Sequence, residues 1–111
     1  MKSKKLPFVS IVIITYNGMD ILKICLPSVF QIDYPKERYE VILVDNASTD
    51  NTIEYIQKNF AGIKIIKNKV NLGYVGLNTA INYCKGKYVY FNNNDITFAK
   101  DSVKKLVDVM E

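Results

Sequence analysis

The stretch that decides the fold is Lys87-Tyr88-Val89-Tyr90-Phe91-Asn92-Asn93-Asn94-Asp95. Its first five residues are rich in aromatic and β-branched side chains, which predicts a buried strand over residues 87–91. The three amides and the carboxylate cannot continue a buried strand, because desolvating them without partners costs several kcal/mol. We therefore expect the chain to leave the core here and to present oxygen ligands at the carboxyl end of a strand, where open α/β sheets bind ligands.

Three further apolar runs predict strands, and helical patterns separate all four. The strands are expected over residues 8–14, 39–44, 63–66 and 87–91, and the last helix is expected from about residue 101. Alternating strands and helices predict parallel βαβ units with right-handed crossovers, and the usual winding gives the strand order 3-2-1-4. The predicted fold class is α/β, a Rossmann-like, mostly parallel sheet with helices on both faces.

The length of 111 residues suits one domain. We divide the chain into a loose basic lead-in, residues 1–7, and a domain over residues 8–111. Hydrophobic residues make up 49% and charged residues 23%, which is ordinary for a globular protein. In the last two helices, apolar residues recur at helical spacing and are expected in the core: Leu77, Ala80, Ile81 and Cys84, then Val103, Val107 and Met110.

The composition excludes several kinds of site. The chain has no histidine, which removes His-based triads and the usual zinc sites. After the first strand it has a single glycine, Gly18, in place of GxGxxG, and no P-loop motif occurs, so NAD, FAD and P-loop chemistry are not expected. The net charge of +4 comes from scattered lysines with one arginine, which suits an anionic small molecule and predicts no nucleic-acid partner.

The cysteines and the lengths of the apolar runs indicate the cellular compartment. Cys25 and Cys84 fall on apolar faces of predicted helices, outside any CxxC pattern, and are expected to be free thiols in a reducing compartment. No apolar run approaches the ~20 residues of a membrane span, and no signal-peptide core follows the basic start. We expect a cytoplasmic protein, with the lysines at 2, 4 and 5 favouring a peripheral contact with the inner membrane surface.

Three polar clusters are predicted to meet at one edge of the sheet. They are Thr15-Tyr16-Asn17, Asp45-Asn46 and Asn93-Asn94-Asp95, which follow the first, second and fourth strands. Tyr16 could stack on a base, Asp45 could accept a hydrogen bond from a base or ribose, and Asp95 suits Mg²⁺ or Mn²⁺ held jointly with a diphosphate. The alternatives are packing on the next helix for Tyr16, helix capping for Asp45 and a turn for Asp95.

A loop and helix start between the third and fourth strands offers more amides. Asn71, Gly73 and Asn78 could face a diphosphate, or they could be turn residues and a solvated helix start. The candidate nucleotide-binding residues at this edge are Thr15, Tyr16, Asn17, Asp45, Asn46, Asn71, Asn78, Asn93 and Asn94.

Four segments together resemble a known family. VSIVIITYNG (9–18), EVILVDNASTDNT (40–52), NLGYVGLNTAI (71–81) and GKYVYFNNND (86–95) resemble, in order and spacing, the N-terminal part of family-2 glycosyltransferases with the GT-A fold. The resemblance implies a truncated GT-A domain and an enzyme of class EC 2.4. Such an enzyme transfers sugar, with inversion, from a nucleoside-diphosphate sugar to a saccharide or lipid-linked acceptor in polysaccharide biosynthesis. The alternative is a non-catalytic nucleotide-binding or interaction module of the same fold.

The resemblance also implies roles for single residues. Tyr16 and Asp45 would contact the nucleoside. Asn93-Asn94-Asp95 stands where the family has Asp-x-Asp and would hold the diphosphate and Mn²⁺ or Mg²⁺, with Asp95 and Asn93 as metal ligands. Because Asn93 replaces an acid, we expect metal only together with the nucleoside diphosphate. The catalytic base is expected beyond Glu111, so we expect this chain to be inactive alone and to self-associate through an unpaired sheet edge.

Overall fold

Alternating strands and helices build a four-stranded parallel sheet in the computed structural model, which describes residues 6–111. The elements are β1 (Val9–Thr15), α1 (Met19–Val29), a 3₁₀ turn (Lys36–Arg38), β2 (Tyr39–Asp45), α2 (Thr52–Asn59), β3 (Lys64–Lys67), a long 3₁₀-helix (Gly73–Tyr83), β4 (Tyr88–Asn93) and α3 (Ser102–Met110). The order β3-β2-β1-β4, with every pair parallel, confirms the predicted fold class and topology.

The two central strands carry the core because both are continuous apolar runs that can be covered on both faces. All seven residues of β1 are buried. Val9, Ile11 and Ile13 belong to a core cluster shared with α1, α2 and α3. Val12 and Ile14, on the opposite face, pack with the long 3₁₀-helix. Helices thus cover both faces of the central strands, as predicted.

The prediction of a buried strand over residues 87–91 is wrong in its bounds and in its burial. β4 runs from Tyr88 to Asn93, includes two of the amides, and leaves Val89 and Phe91 38% and 42% exposed. The reason is its position. β4 pairs with β1 along one edge, no strand lies on its other edge within residues 6–111, and the long 3₁₀-helix lies over β1 and β2. The apolar pattern indicated a strand that could be buried between other elements. Within residues 6–111, no element fully covers Val89 and Phe91.

The segment after Leu72 forms a 3₁₀-helix of 11 residues, longer than the three or four residues common for this form. Ala80 is buried, and Leu77 and Cys84 pack partly buried against the core, as predicted. The predicted core position of Ile81 is wrong, because Ile81 is 51% exposed. With three residues per turn, Ile81 lies about 120° around the helix axis from Leu77, whereas an α-helix would bring the two to within about 40°.

α3 keeps two of the three residues of its predicted apolar stripe in the core. Val103 and Val107 are buried, but Met110 is 60% exposed, so its predicted core position is wrong. Met110 and Leu106 line an open apolar groove beside β4. No strand covers this groove within the described residues, and the last turn of α3 therefore remains in contact with solvent.

Residues 6 and 7, at the end of the lead-in, are attached to the domain, whereas the sequence analysis predicted a loose segment. The Leu6 carbonyl accepts a hydrogen bond from Arg38 Nε at 2.8 Å, and the Pro7 carbonyl accepts one from the Tyr34 hydroxyl at 2.5 Å. Residues 1–5, which include the three lysines expected at a membrane surface, lie outside the described part of the chain.

Both cysteines are free thiols, as predicted. Cys25 is buried on α1. Burial raises the pKa of the Cys84 thiol, which keeps that group neutral near pH 7. Within residues 6–111, no helix combines the length and the apolar character that crossing a membrane requires.

Candidate functional site

The candidate site lies at the rim, the edge of the sheet formed by the carboxyl ends of β1, β2 and β4. Thr15 pairs with Asp45 across β1 and β2, and Ile14 pairs with Asn93 across β1 and β4. Asn94 Nδ2 donates to Thr15 Oγ1 at 2.8 Å, which ties the turn after β4 to the end of β1. The three polar clusters therefore converge on one edge, as the parallel topology predicted.

Between β1 and β4 the rim opens into a cavity of about 260 Å³, here called the rim cavity. Tyr16 and Tyr74 both line it and are 48% and 72% exposed, so two aromatic rings are available to a ligand. The full lining is Ile14, Thr15, Tyr16, Asn46, Asn71, Gly73, Tyr74, Asn93 and Asn94. Most of the predicted nucleotide-binding residues are thus brought together here.

The residues that stand in place of Asp-x-Asp have different surroundings. Asn94 points inward to Thr15, as described above. Asn93 Oδ1 accepts from the Asn94 backbone N–H at 2.8 Å, and Asn93 Nδ2 lies 3.4 Å from the Tyr74 hydroxyl. Asp95 is exposed in the turn after β4 and forms no hydrogen bond or ion pair with residues 6–111. Its carboxylate is therefore available to an external cation.

The protein groups supply little charge for a metal ion by themselves. Within the described residues, no three Asp, Glu, His or Cys side chains are grouped so that they could hold a metal. Asp95 provides one carboxylate and Asn93 one amide oxygen, which are ligand types that Mg²⁺ and Mn²⁺ accept. The donor set fits a hard divalent cation, but only if another anion completes it.

Asp45 opens onto a second cavity of about 580 Å³, here called the side cavity. Asp45 is 3% exposed, and its two oxygens accept hydrogen bonds from the Ser48 backbone N–H at 3.0 Å and the Ser48 hydroxyl at 2.5 Å. Tyr16 and Asp45 therefore share the rim but line different cavities, and Asp95 lines neither of the two. The side cavity is lined by Asp45, Ala47, Ser48, Asp50, Asn51, Ile53, Glu54, Gln57, Lys67, Asn68 and Lys69.

Asn46 connects the linings of the two cavities. Its side chain is buried; Nδ2 donates to the Gly73 carbonyl at 3.0 Å and Oδ1 accepts from Asn68 Nδ2 at 2.8 Å. Gly76 is required opposite it, because a Cβ there would lie 2.5 Å from Asn46 Oδ1. The Asn46 amide is thus engaged within the protein and holds the start of the 3₁₀-helix against the loop after β3.

The three remaining predicted residues, Asn17, Asn71 and Asn78, lie in different surroundings. Asn17 has a left-handed backbone (φ 49°), and its Oδ1 accepts from the Thr49 backbone N–H at 2.7 Å. Asn71 lines the rim cavity and accepts from the Gly73 N–H at 2.9 Å. Asn78 is exposed on the long 3₁₀-helix and lines neither the rim cavity nor the side cavity. The structure therefore brings Asn71 to the site and leaves Asn78 apart from it.

Two residues of this site were missed by the sequence analysis. Tyr74 lines the rim cavity, and the available signal was an aromatic residue directly after the Asn71-Leu72-Gly73 turn. Ser48, whose hydroxyl donates to Asp45, was not among the predicted site residues. A hydroxyl two residues after a strand-end cluster is too common a pattern to indicate that role.

Polar and aromatic side chains gathered at the carboxyl ends of a parallel α/β sheet stand where sheets of this class bind ligands, so the fold and the site together define an open α/β ligand-binding domain. The sequence profile described as Glycosyl transferase family 2 matches residues 10–111, and the chain belongs to that family.

Curated relatives agree with this assignment. Poly(ribitol-phosphate) beta-glucosyltransferase of Bacillus spizizenii is 38% identical over 92 residues, which cover 78% of this chain and 14% of the relative. Poly(ribitol-phosphate) beta-N-acetylglucosaminyltransferase TarS of Staphylococcus aureus is 31% identical over 99 residues, which cover 86% of this chain and 17% of TarS. The chain therefore spans less than a fifth of the length of either relative.

Solved structures confirm the GT-A-type fold. Mannosyltransferase PcManGT from Pyrobaculum calidifontis, in complex with GDP-Man and Mn²⁺, matches with a TM-score of 0.81 and 26% identity over 89% of this chain and 31% of that chain. TarS 1–349 of S. aureus, in complex with UDP-GlcNAc, matches with a TM-score of 0.81 and 27% identity over 93% and 31% of the two chains. Both were solved with a nucleotide sugar, and one of them with Mn²⁺.

Proposed function

We propose that this chain is the donor-binding part of a glycosyltransferase that moves a sugar from a nucleoside-diphosphate sugar to a saccharide or lipid-linked acceptor. The observation that carries the proposal is the rim, where β1, β2 and β4 end beside two polar cavities. At about 260 Å³ the rim cavity is smaller than the ~300–1,000 Å³ usual for ligand sites. A nucleotide sugar would therefore extend along the rim over both cavities.

Different groups would hold the nucleoside and the diphosphate. The half-exposed ring of Tyr16 offers a stacking surface for a base. Asp45 keeps unused lone pairs beyond its two Ser48 bonds, and these can accept from a base N–H or a ribose hydroxyl. The amides of Asn71 and Asn93, which line the rim cavity, can donate to phosphate oxygens. The roles of Tyr16, Asp45 and Asn93 are also those implied by the family resemblance.

A divalent cation, Mn²⁺ or Mg²⁺, would be held by Asp95 and Asn93 together with the diphosphate. One carboxylate leaves a dication only half neutralised, so the diphosphate has to supply the remaining charge. When bound, such a cation would stabilise the negative charge on the leaving diphosphate. Calorimetry should show weak or no Mn²⁺ binding by the free chain and clear binding with nucleoside diphosphate present. Tight Mn²⁺ binding without nucleotide would contradict this proposal.

Sugar transfer would need groups beyond those of this chain. The family resemblance implies a single displacement by a deprotonated acceptor hydroxyl, with inversion at the sugar. The chain has no histidine, and none of its residues corresponds to the base of the family. We therefore expect these 111 residues to bind the donor without turnover.

A thermal-shift panel of UDP, GDP, dTDP and CMP, with and without Mn²⁺, tests donor binding. We expect a metal-dependent rise in melting temperature with one nucleotide, because a ligand at 100 times its Kd stabilises the folded state by about 2.7 kcal/mol. Tyr16→Ala should reduce the shift. Tyr83→Ala is the matched control, since Tyr83 is 52% exposed and lines neither polar cavity. No shift with any nucleotide would refute the proposal and favour a non-catalytic interaction module.

We also propose that this chain self-associates through the outer edge of β4. That edge has no strand partner within residues 6–111, β4 carries no charged side chain, and Val89 and Phe91 are exposed. β3, at the opposite edge, begins and ends with lysine, a charge that discourages edge pairing. Sedimentation should show dimers or larger species that Phe91→Lys converts to monomer, whereas Val109→Lys on α3 should not. A monomeric unaltered chain at every concentration would refute this.

For localisation we propose the cytoplasm, with peripheral contact to the inner membrane surface. The free thiols of Cys25 and Cys84 support a reducing compartment, and the lysines at 2, 4 and 5 are attracted by anionic lipid. Co-sedimentation with anionic vesicles, lost at high salt and not seen with neutral vesicles, is the expected result. Equal binding to both kinds of vesicle would contradict it. The absence of a nucleic-acid partner stays a prediction.

A further inference from the structure

We propose that Ser48 and Asn17 are positioning residues that hold the Asp45 carboxylate in one orientation for recognition of the donor's nucleobase. The inference rests on the proposed function, because it takes Asp45 as a nucleoside contact. It is carried by hydrogen bonds that join the loop after β1 to the loop after β2, between residues 31 positions apart in sequence.

The Ser48 hydroxyl is at the centre of these hydrogen bonds. It donates to Asp45 Oδ1 at 2.5 Å and accepts from the Asn17 backbone N–H at 2.8 Å. These directions are determined by chemistry, because a backbone N–H cannot accept and an ionised carboxylate cannot donate. The Ser48 backbone N–H donates to Asp45 Oδ2 at 3.0 Å. One residue therefore holds both carboxylate oxygens and is itself oriented by Asn17.

The Asn17 side chain adds a second link between the two loops. Its Oδ1 accepts from the backbone N–H groups of Thr49 at 2.7 Å and Asp50 at 3.2 Å, and its Nδ2 lies 3.3 Å from Thr49 Oγ1. Asn17 and Ala47 both have left-handed backbones, with φ of 49° and 65°. Such conformations persist where surrounding contacts hold them, and here each lies in one of the two joined loops.

A ligand can reach the Asp45 carboxylate from the side cavity, which is the cavity that Asp45 lines. Asp45 is 3% exposed but lines the side cavity, so only a small part of the carboxylate is accessible. Rotation of the carboxylate would break its two bonds to Ser48. A site built around an oriented acceptor rejects bases that lack the matching donor, because the remaining lone pairs of the buried carboxylate then stay without a donor. Base selectivity should therefore depend on the Ser48 hydroxyl, which need not contact the ligand.

The first test is calorimetry of nucleotide binding by the 111-residue chain, using UDP, GDP, dTDP and CDP with Mn²⁺. Ser48→Ala removes the hydroxyl and Ser48→Thr keeps it. Ser102→Ala is the matched control, because Ser102 lies at the start of α3 and its hydroxyl donates a local hydrogen bond, to the Ala99 carbonyl at 2.8 Å. We expect Ser48→Ala to weaken binding of the preferred nucleotide about tenfold and to reduce the preference itself. Ser48→Thr and Ser102→Ala should stay within about twofold of the unaltered chain.

A double-variant cycle separates positioning from a direct contact. If Ser48 acts through Asp45, adding Ser48→Ala to Asp45→Asn should change affinity by less than about twofold. Fully additive losses would overturn the inference, because they would mean that the hydroxyl and the carboxylate act independently on the ligand.

Amide hydrogen exchange tests the loop connection without any ligand. The Asn17 amide should exchange slowly in the unaltered chain and in Ser48→Thr, and at least about tenfold faster in Ser48→Ala. Equally fast exchange in all three chains would overturn the inference. The proposed function would fail in a different way, with no nucleotide bound by the unaltered chain although its Asn17 amide is protected.

Discussion

Gly18→Ala should destabilise the chain and disturb the rim at the same time. Gly18 has φ −104°, a backbone conformation open to any L-residue, so alanine is not excluded by the backbone. A Cβ at this position would lie 2.1 Å from Asn94 Nδ2 and 2.4 Å from Thr15 Oγ1. Glycine is therefore needed because the Asn94 side chain passes directly over it.

The expected cost follows from these distances. The new methyl group must break the 2.8 Å hydrogen bond between Asn94 and Thr15, displace the start of α1, or both. A hydrogen bond between neutral groups contributes about 1 kcal/mol and overpacking costs about 1–3 kcal/mol. Because the Asn94 amide can swing aside, we expect the free energy of unfolding to fall by about 2 kcal/mol. That loss lowers the melting temperature by roughly 8–10 °C in a domain of this size.

Thermal unfolding followed by circular dichroism measures the effect. Gly62→Ala is the control, because nothing lies within 4 Å of a Cβ there, and it should leave stability unchanged or raise it by up to about 1 kcal/mol. In an Asn94→Ala background the cost of Gly18→Ala should shrink by about 1 kcal/mol, since one of the two colliding atoms is gone. Equal melting temperatures for Gly18→Ala and Gly62→Ala, or full additivity with Asn94→Ala, would refute the steric argument.

Three further predictions concern the same rim. Ala47→Gly should raise the free energy of unfolding by about 0.5 kcal/mol, because relief of the left-handed alanine (φ 65°) exceeds the added entropy of the unfolded chain; a lower urea midpoint would contradict this. Gly76→Ala should cost about 1–3 kcal/mol, because its Cβ would lie 2.5 Å from Asn46 Oδ1, and an unchanged urea midpoint would argue against the close contact. Asn93→Asp should let the free chain bind Mn²⁺ in calorimetry, since one added charge is worth roughly 4 kcal/mol per unit of cation charge at ~4 Å as an upper bound. Unchanged Mn²⁺ affinity would show that Asn93 is not a metal ligand.

The sheet and its strand order could be predicted because their causes are local in the chain. Val9–Thr15 and Tyr39–Asp45 are apolar runs bounded by polar turns, and helical patterns lie between the strands. Parallel strands joined through helices have few favourable windings, so the order followed. The convergence of Thr15, Asp45 and Asn93 on one rim then came from topology alone, because parallel strands all end at the same edge.

The burial of side chains at the edge of the sheet depends on which elements pack against them, and a local sequence pattern does not contain that information. Val89 and Phe91 have the composition of a covered strand, yet the face they occupy lies beyond the reach of the long 3₁₀-helix. Ile81 is exposed because this helix has three residues per turn and not 3.6. The spacing of apolar residues over so short a segment does not distinguish the two periods.

The amino-acid sequence by itself determined which residue types reach the rim: an aromatic ring, amides and separate carboxylates. Only the tertiary structure decided what each one does there. It engaged the side chains of Asn46 and Asn17 in hydrogen bonds with other loops of the chain, placed Asp45 and Tyr16 in different cavities, and left Asp95 exposed. The physical reason is that side-chain hydrogen bonds form only at about 3 Å with suitable angles. The loops that meet here lie tens of residues apart in the chain, so no local pattern contains that distance.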